Sequence, residues 1–309
     1  MILGGDLGGT KTLLALAETV AGEIRIVRQQ RYASADYPSF DALLGEFLAD
    51  APAISSACFG VAGPTDGQHA QLTYLPWRLG ASELSQRFGI ANVTLTNDFA
   101  AAHGLPLVEA QQVRTLHAGQ PVAKAPRVIL GAGTGLGVAG LVWEHDHYRI
   151  VSGEGGHFGF APQTPEQLEL ARWLLASNGR VTTEDIVSGP GLTRIYAFFG
   201  GRPQQAEEIG LAALAGSDPL AKCSLELWLS CYGAFAGDLA MHWLAQGGVY
   251  LAGGMAAKLM PNAGCTPFID AFLAKREHHE LVRNMPIHLL TAEDLGLRGA
   301  LALAAAAQP

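Results

Sequence analysis

Short apolar runs broken by glycine turns set the rhythm of this chain. The run Ile2-Leu3-Gly4-Gly5-Asp6-Leu7 meets Gly8-Gly9-Thr10-Lys11, and residues 12–16 are apolar again. The same order recurs where Val128-Ile129-Leu130 meets Gly131-Ala132-Gly133-Thr134-Gly135-Leu136-Gly137, followed by apolar 138–143. Beyond each turn the chain is strand-like and not helical, so each unit is predicted to be a hairpin: strand, glycine turn, strand. Backbone N–H groups and small hydroxyls in such turns can face an anion. Two of them, one in each half, would clamp a polyphosphate, which is a phosphotransferase layout.

The remaining pattern alternates in the α/β manner. Strands are predicted at 1–6, 12–18 and 24–31, then a helix at 39–50 with Ser39 as N-cap and Phe40, Leu43, Leu44, Phe47 and Leu48 on one side. A strand near 56–61, a Gly63-Pro64 turn, a helix opened by Ser82 and a strand at 93–96 come next. A boundary is expected at 105–125, where Pro106, Gly119, Pro121 and Pro126 cluster. The second half restarts with strands at 127–131, 136–143 and 148–151, then turns mostly helical. Helices are expected at 165–177 and 217–245, strands at 249–252 and 287–290, and an Ala/Leu helix at 295–306 whose small side chains suit close packing against the first lobe.

A chain of 309 residues holds about two domains of ordinary size. Its net charge of −8 argues against nucleic acid, which wants a basic stripe. Cys58, Cys223, Cys231 and Cys265 form no CxxC pair and read as buried, reduced thiols with no zinc or disulfide framework. No basic leader precedes the first turn and no run of 18 apolar residues occurs, so a cytoplasmic protein with no membrane span is expected.

Neither turn is a Walker loop, since no Gly-Lys-Ser/Thr follows the glycines. Nor is the second a dinucleotide fingerprint, which needs glycine at Leu136 or Val138 and a helix after it. Tight hairpins with no ligand are the plain alternative. Asp6 ends an apolar strand at the first turn, where burying a carboxylate is costly unless something compensates it. Mg²⁺ on nucleotide phosphates answers that need, and capping of its own turn is the other reading. Asn97-Asp98 closes the strand at 93–96, and the C-terminal ends of strands are where ligands bind in open α/β sheets. Asp98 there is placed as general base for an alcohol with Asn97 orienting the same substrate, or else as an N-cap.

Gly153-Glu154-Gly155-Gly156-His157 sets an acid and an imidazole three apart in a chain kept open by glycines, suited to one small polar ligand or to a surface pair. Glu184 lies in a helix-start signal, Thr182-Thr183-Glu184-Asp185 before Ser188-Gly189-Pro190-Gly191, and alone would be read as a helix-start carboxylate. Together, Asn97, Asp98, Glu154, His157 and Glu184 match the hydroxyl surface of a sugar. With the two turns, the residues point to an ATP-dependent sugar or polyol kinase.

The set resembles the bacterial glucokinases that lack a zinc-binding cysteine cluster, within the actin-like ATPase superfamily. The matching pieces are Asp6-Leu7-Gly8-Gly9-Thr10, Leu95-Thr96-Asn97-Asp98-Phe99, Gly131-Ala132-Gly133-Thr134-Gly135-Leu136-Gly137, Gly153-Glu154-Gly155-Gly156-His157, Ser188-Gly189-Pro190-Gly191 and Leu251-Ala252-Gly253-Gly254. They run through nearly the whole chain. Relatives with a zinc motif carry cysteines after the histidine, whereas Phe158-Gly159-Phe160-Ala161-Pro162 stands here.

The resemblance implies a two-lobed α/β fold of the actin-like, ribonuclease H-like kind, with the active site in the cleft between the lobes. The small domain would be 1–108 completed by the C-terminal helix 295–309, and the large domain 109–294. Asp98 would be the catalytic base, with Asn97, Glu154, His157 and Glu184 on glucose hydroxyls. Asp6, Gly8, Gly9 and Thr10, joined by Gly133 and Thr134, would serve the phosphates of ATP and Mg²⁺, Asp6 reaching the metal directly or through water. Gly253 and Gly254 would lie by the adenosine, and the protein would be a homodimer. The implied reaction is transfer of the γ-phosphoryl of ATP to the 6-hydroxyl of glucose. Rival readings are a kinase for fructose or mannose, a sugar-responsive regulator on the same fold, and an actin-like polymerising ATPase. The retained Asp98 and the lack of a DNA-binding segment before Met1 speak against the regulator, and the polar set Glu154, His157 and Glu184 against the polymerising ATPase.

Overall fold

The computed structural model describes every residue except Ala21, Pro64, Tyr74, Asp98, Phe99, Asn262 and Pro309, and the side chains of Ala100, Ala101 and Asn178 are likewise outside the description. The chain divides into two compact units, Met1–Val108 with Asp294–Pro309, and Glu109–Glu293.

The first unit is built on a five-stranded sheet. Its strands are β1 (Ile2–Leu7), β2 (Lys11–Val20), β3 (Glu23–Ala33), β4 (Ser56–Val61) and β7 (Asn92–Asn97), in the order β3-β2-β1-β4-β7. The hairpin β1–β2 is antiparallel, and β1, β4 and β7 run parallel. A small ribbon of β5 (His69–Gln71) and β6 (Arg78–Gly80) stands apart. Helix α1 (Phe40–Phe47) begins where expected, because Ser39 accepts a hydrogen bond from the Ala42 N–H at 3.3 Å. Helix α2 (Ala81–Phe88) has Gly80 at its N-cap, so Ser82 lies inside it and does not open it. A short α3 (Ala100–His103) follows β7.

Side chains alternate across a strand, so β1 feeds two cores. Leu3 and Leu7 join Phe40, Leu44, Phe47 and Phe59 on one face. Ile2 joins Leu297, Ala300, Leu301 and Ala304 of the C-terminal helix, Leu295–Ala306, on the other. That helix lies so close that a Cβ on Gly4 would come 2.6 Å from Leu301. The same period puts Asp6 on the helix side.

The second unit repeats the plan. Its strands are β8 (Val113–His117), β9 (Arg127–Ala132), β10 (Leu136–Glu144), β11 (His147–Gly153), β12 (Val249–Ala252) and β13 (Ile287–Leu290), in the order β11-β10-β9-β12-β13-β8. Apart from β8, this is the order of the first unit: two antiparallel hairpin strands, the first strand, then two parallel ones. Strand β8 pairs antiparallel with β13, so part of the stretch expected as a boundary at 105–125 is a sheet edge.

Helices α4 (Pro165–Asn178), α5 (Gly189–Phe198), α6 (Ala206–Ala215), α7 (Pro219–Trp243), α8 (Gly254–Leu259), α9 (Thr266–Leu273) and α10 (His279–Arg283) complete the unit. Helix α7 is its backbone support. Asp218 caps it by accepting from Leu220 N–H at 2.8 Å, Pro219 occupies the first turn, and Leu244 ends it in a left-handed conformation. It is apolar nearly all round, because it is buried nearly all round. From it the Tyr232 hydroxyl donates to the Leu130 carbonyl at 3.4 Å, and the Trp228 indole N–H donates to the Ser188 carbonyl at 3.2 Å. These two bonds brace β9 and the start of α5 from below. Of the four cysteines, Cys58 and Cys231 are buried, Cys58 with its thiol pushed up to about 12, whereas Cys223 is exposed and Cys265 half-buried. No helix among the described residues is long and apolar enough to cross a membrane.

Candidate active site

In the first unit the strand register decides what can meet. Leu7 pairs with Val61, and Val61 pairs with Asn97, so the ends of β1, β4 and β7 form one row. At a strand spacing of about 4.8 Å, the first glycine turn and Asn97 lie about 10 Å apart on one edge. Asp98, the expected base, follows Asn97 in sequence and lies outside the described residues, as does the neighbouring Phe99.

The first turn is closed by Gly8 N–H donating to the Lys11 carbonyl at 2.9 Å. Its other support is one that sequence reasoning missed. Ser34, fully buried, donates its hydroxyl to the Gly8 carbonyl at 2.7 Å, lies 3.0 Å from the Thr12 hydroxyl, and sends its N–H to the Thr10 carbonyl at 3.2 Å. A serine just beyond a strand carries no signal of this in the sequence, because the contact spans β2 and β3. Thr10 is exposed and Gly9 half-buried, so the tip of the turn is open to solvent.

The Asp6 carboxylate is partly buried and takes no hydrogen bond from a described residue, which counts against its capping its own turn. It lies instead against Gly296 in the first turn of the C-terminal helix, where a Cβ would come 2.7 Å from Oδ2. Burial raises its pKa, and the Lys11 ammonium draws it back down. A hard oxygen ligand, short of hydrogen bonds and beside an open glycine turn, fits a Mg²⁺ carried by phosphates.

In the second unit the glycine turn at 133–135 is closed by Gly133 N–H donating to the Gly135 carbonyl at 2.8 Å, and Thr134 is exposed at its tip. Strand β12 runs parallel to β9, pairing Ala252 with Gly131, so Gly253 and Gly254 emerge beside the turn. Gly253 has φ +89°, and a Cβ on it would come 2.3 Å from the Ala132 carbonyl oxygen. Only glycine fits there.

The loop at 153–157 lies across the start of β10. Glu154 precedes and His157 ends a single turn of 3₁₀ helix, and both side chains are exposed with no hydrogen bond among the described residues. A Cβ on Gly156 would come 2.0 Å from the Leu136 carbonyl oxygen, so this glycine lets the loop press against the end of the turn.

Glu184 differs from its reading as a helix-start carboxylate. Ser188 caps α5 by accepting from Gly191 N–H at 3.0 Å, and Asp185 takes the Thr182 N–H and hydroxyl. The Glu184 carboxylate reaches across to Leu136 N–H at 2.7 Å, and its own N–H donates to the Gly156 carbonyl at 2.9 Å. Within this unit, then, Gly133, Thr134, Glu154, His157, Glu184, Gly253 and Gly254 are gathered at the β9–β10 turn and the end of β12. In the other, Asp6, Gly8, Gly9, Thr10 and Asn97 share one sheet edge.

The fold these units define is that of the actin-like sugar kinases. A glucokinase from an Antarctic psychrotroph superposes with a TM-score of 0.85 at 30% identity over 98% of each chain. A ROK family glucokinase from Streptomyces griseus, solved with glucose and AMPPNP, shares the fold with a TM-score of 0.65 at 20% identity, again over 98% of each chain. The chain belongs to the glucokinase family, whose model matches residues 3–307. A glucokinase of Nostoc punctiforme is 35% identical across 99% of both chains, and one of Klebsiella pneumoniae 33% identical across 96% of this chain and 94% of its own.

Proposed function

We propose that this protein is an ATP-dependent glucokinase that phosphorylates the 6-hydroxyl of D-glucose. The observation that carries this reading is the match to the glucokinase family over residues 3–307, a span that holds every residue of the candidate site. Each unit carries part of the machinery this reaction needs. The first gives the phosphate turn of Asp6, Gly8, Gly9 and Thr10, with Asn97 and Asp98. The second gives Gly133 and Thr134 for phosphate, Gly253 and Gly254 for the adenosine, and Glu154, His157 and Glu184 for the sugar.

In the reaction, glucose O6 attacks the γ-phosphorus in line. The O6–P bond forms as the bond to the β,γ-bridging oxygen breaks, and ADP leaves. Asp98 accepts the O6 proton as attack develops. Backbone N–H groups of the glycine turns that are not spent inside the turn would oppose the growing charge on the transferring group. Mg²⁺ held with ATP beside Asp6 would supply further charge stabilisation. Exposed Glu154 and His157, with the open oxygen of Glu184, orient the sugar so that O6 and not water is the acceptor. We place the enzyme in the cytoplasm as a homodimer, on its resemblance to the family.

A coupled assay for ADP release tests the reading, with purified protein, ATP and Mg²⁺ and with glucose, fructose, mannose or N-acetylated hexoses added in turn. A rate seen mainly with glucose is expected. A rate confined to fructose or mannose would reassign the sugar. ATP hydrolysis independent of sugar would overturn the kinase reading.

A further inference from the structure

We infer that Glu184 is the coupling element between sugar and nucleotide in the second unit: one carboxylate oxygen holds the phosphate turn and the other takes a sugar hydroxyl. The inference rests on the proposed function and goes beyond it, since it makes the two ligands interdependent through one side chain.

Four observations meet at this residue. Glu184 Oε2 accepts from Leu136 N–H, the first amide after the glycine turn, at 2.7 Å. A bond from an amide to an ionised carboxylate is among the stronger hydrogen bonds a protein makes. The space for it is kept by Gly135, where a Cβ would come 2.7 Å from that same oxygen. The Glu184 N–H holds the Gly156 carbonyl at 2.9 Å, and Gly156 abuts Leu136, so loop 153–157 and the turn are tied to one residue.

The fourth observation is a second tie next door. Gly189 N–H donates to the Gly133 carbonyl at 2.8 Å, and Ser188, whose hydroxyl donates to the Glu184 carbonyl at 2.7 Å, caps the same helix. Meanwhile Glu184 Oε1 accepts from no described residue, and the residue is only half-buried.

A sugar hydroxyl on Oε1 fixes the carboxylate and with it the Leu136 amide and the turn. Nucleotide then meets a turn whose ordering has already been met by the sugar. Linkage makes the effect reciprocal: sugar tightens nucleotide by the factor by which nucleotide tightens sugar.

The test is calorimetric titration of the full chain with Mg²⁺ and AMPPNP, with and without saturating glucose. In the parent protein glucose should lower the AMPPNP Kd by about fivefold or more, the lower end of ordinary coupling. Gly135→Ala keeps the carboxylate but pushes it off the turn, and should bring the ratio close to one. Glu184→Ala should do the same, whereas Glu184→Gln, whose amide oxygen can still accept from Leu136 N–H, should keep most of the coupling. Thermal melts of all variants identify any that fail to fold, and the two Glu184 variants decide the matter if Gly135→Ala is one.

An undiminished glucose effect in Gly135→Ala and Glu184→Ala would overturn the inference, as would no effect in the parent. Unchanged glucose affinity in Glu184→Ala, titrated directly, would sink the sugar-binding assignment of Glu184 and the inference with it. Weakened glucose binding in Glu184→Ala with intact coupling in Gly135→Ala would sink the coupling alone.

Discussion

The Ser34 hydroxyl donates to the Gly8 carbonyl at 2.7 Å, so a fully buried side chain after β3 fixes the shape of the first glycine turn. Removing it leaves the Gly8 carbonyl and the Thr12 hydroxyl without this partner. A buried polar group stripped of its partner costs about 1–3 kcal/mol. Ser34→Ala should therefore lower unfolding free energy by that order in urea melts. It should also raise the KM for ATP several-fold with the KM for glucose unchanged. An equal rise in both KM values would mean that Ser34 supports the unit as a whole and not the turn.

In the second unit the corresponding tight point is Gly253. Its φ of +89° belongs to glycine, and the Ala132 carbonyl stands where a side chain would go. Strain of this kind costs on the order of 1–3 kcal/mol before any steric contact is counted. Gly253→Ala should shift β12 against the turn and weaken AMPPNP binding, read by calorimetry, with glucose affinity kept. Nucleotide affinity equal to the parent's would remove Gly253 from the nucleotide site.

How much of this was legible depended on range along the chain. The hairpins were, because apolar strands and glycine turns are local signals, and so was the Ser39 cap, which needs only Ala42. Strand β8 was not: it lies in a stretch rich in Pro and Gly, and its partner β13 is more than 150 residues away. The short β5–β6 ribbon has too few residues for an alternating pattern. At the site, the residue types of the polar set could be read from their motifs. The bond from Leu136 to Glu184 spans 48 residues and was invisible, so Glu184 could be placed with the sugar set but not tied to the turn.

Asp98 carries the base assignment through its motif alone. A positioned general base contributes typically 10²–10⁴-fold to rate. Asp98→Ala should lose activity on that scale while AMPPNP binding, measured by calorimetry, stays near the parent value. Strong residual turnover would remove Asp98 from the chemistry.

Glu154 stands exposed with no hydrogen bond among the described residues, as a group reserved for a ligand would. A hydrogen bond to a charged group is worth about 1.5–3 kcal/mol, or roughly 10- to 100-fold in affinity. Glu154→Ala should raise the KM for glucose by that factor and leave the KM for ATP alone. Because the side chain supports no other part of the unit, the melting temperature should not move. An unchanged glucose dependence would return Glu154 to the class of surface carboxylates.

Asp6 sets function against stability. Burial raises its pKa in the folded chain, with Lys11 opposing. Between the ordinary carboxylate value, about 3.9, and that raised value, the folded chain binds more protons than the unfolded one. Stability contributed by this group therefore falls as pH climbs through the window and stays low above it. Asparagine cannot ionise and escapes the cost. Asp6→Asn should melt higher than the parent at neutral pH, with the gap closing as pH is lowered toward the ordinary carboxylate range. The same variant should bind AMPPNP with Mg²⁺ more weakly. A lower melting temperature at every pH would make Asp6 a structural carboxylate held by the helix start at Gly296. A higher one with nucleotide binding lost would mark a charge kept in an unfavourable place for the ligand it serves.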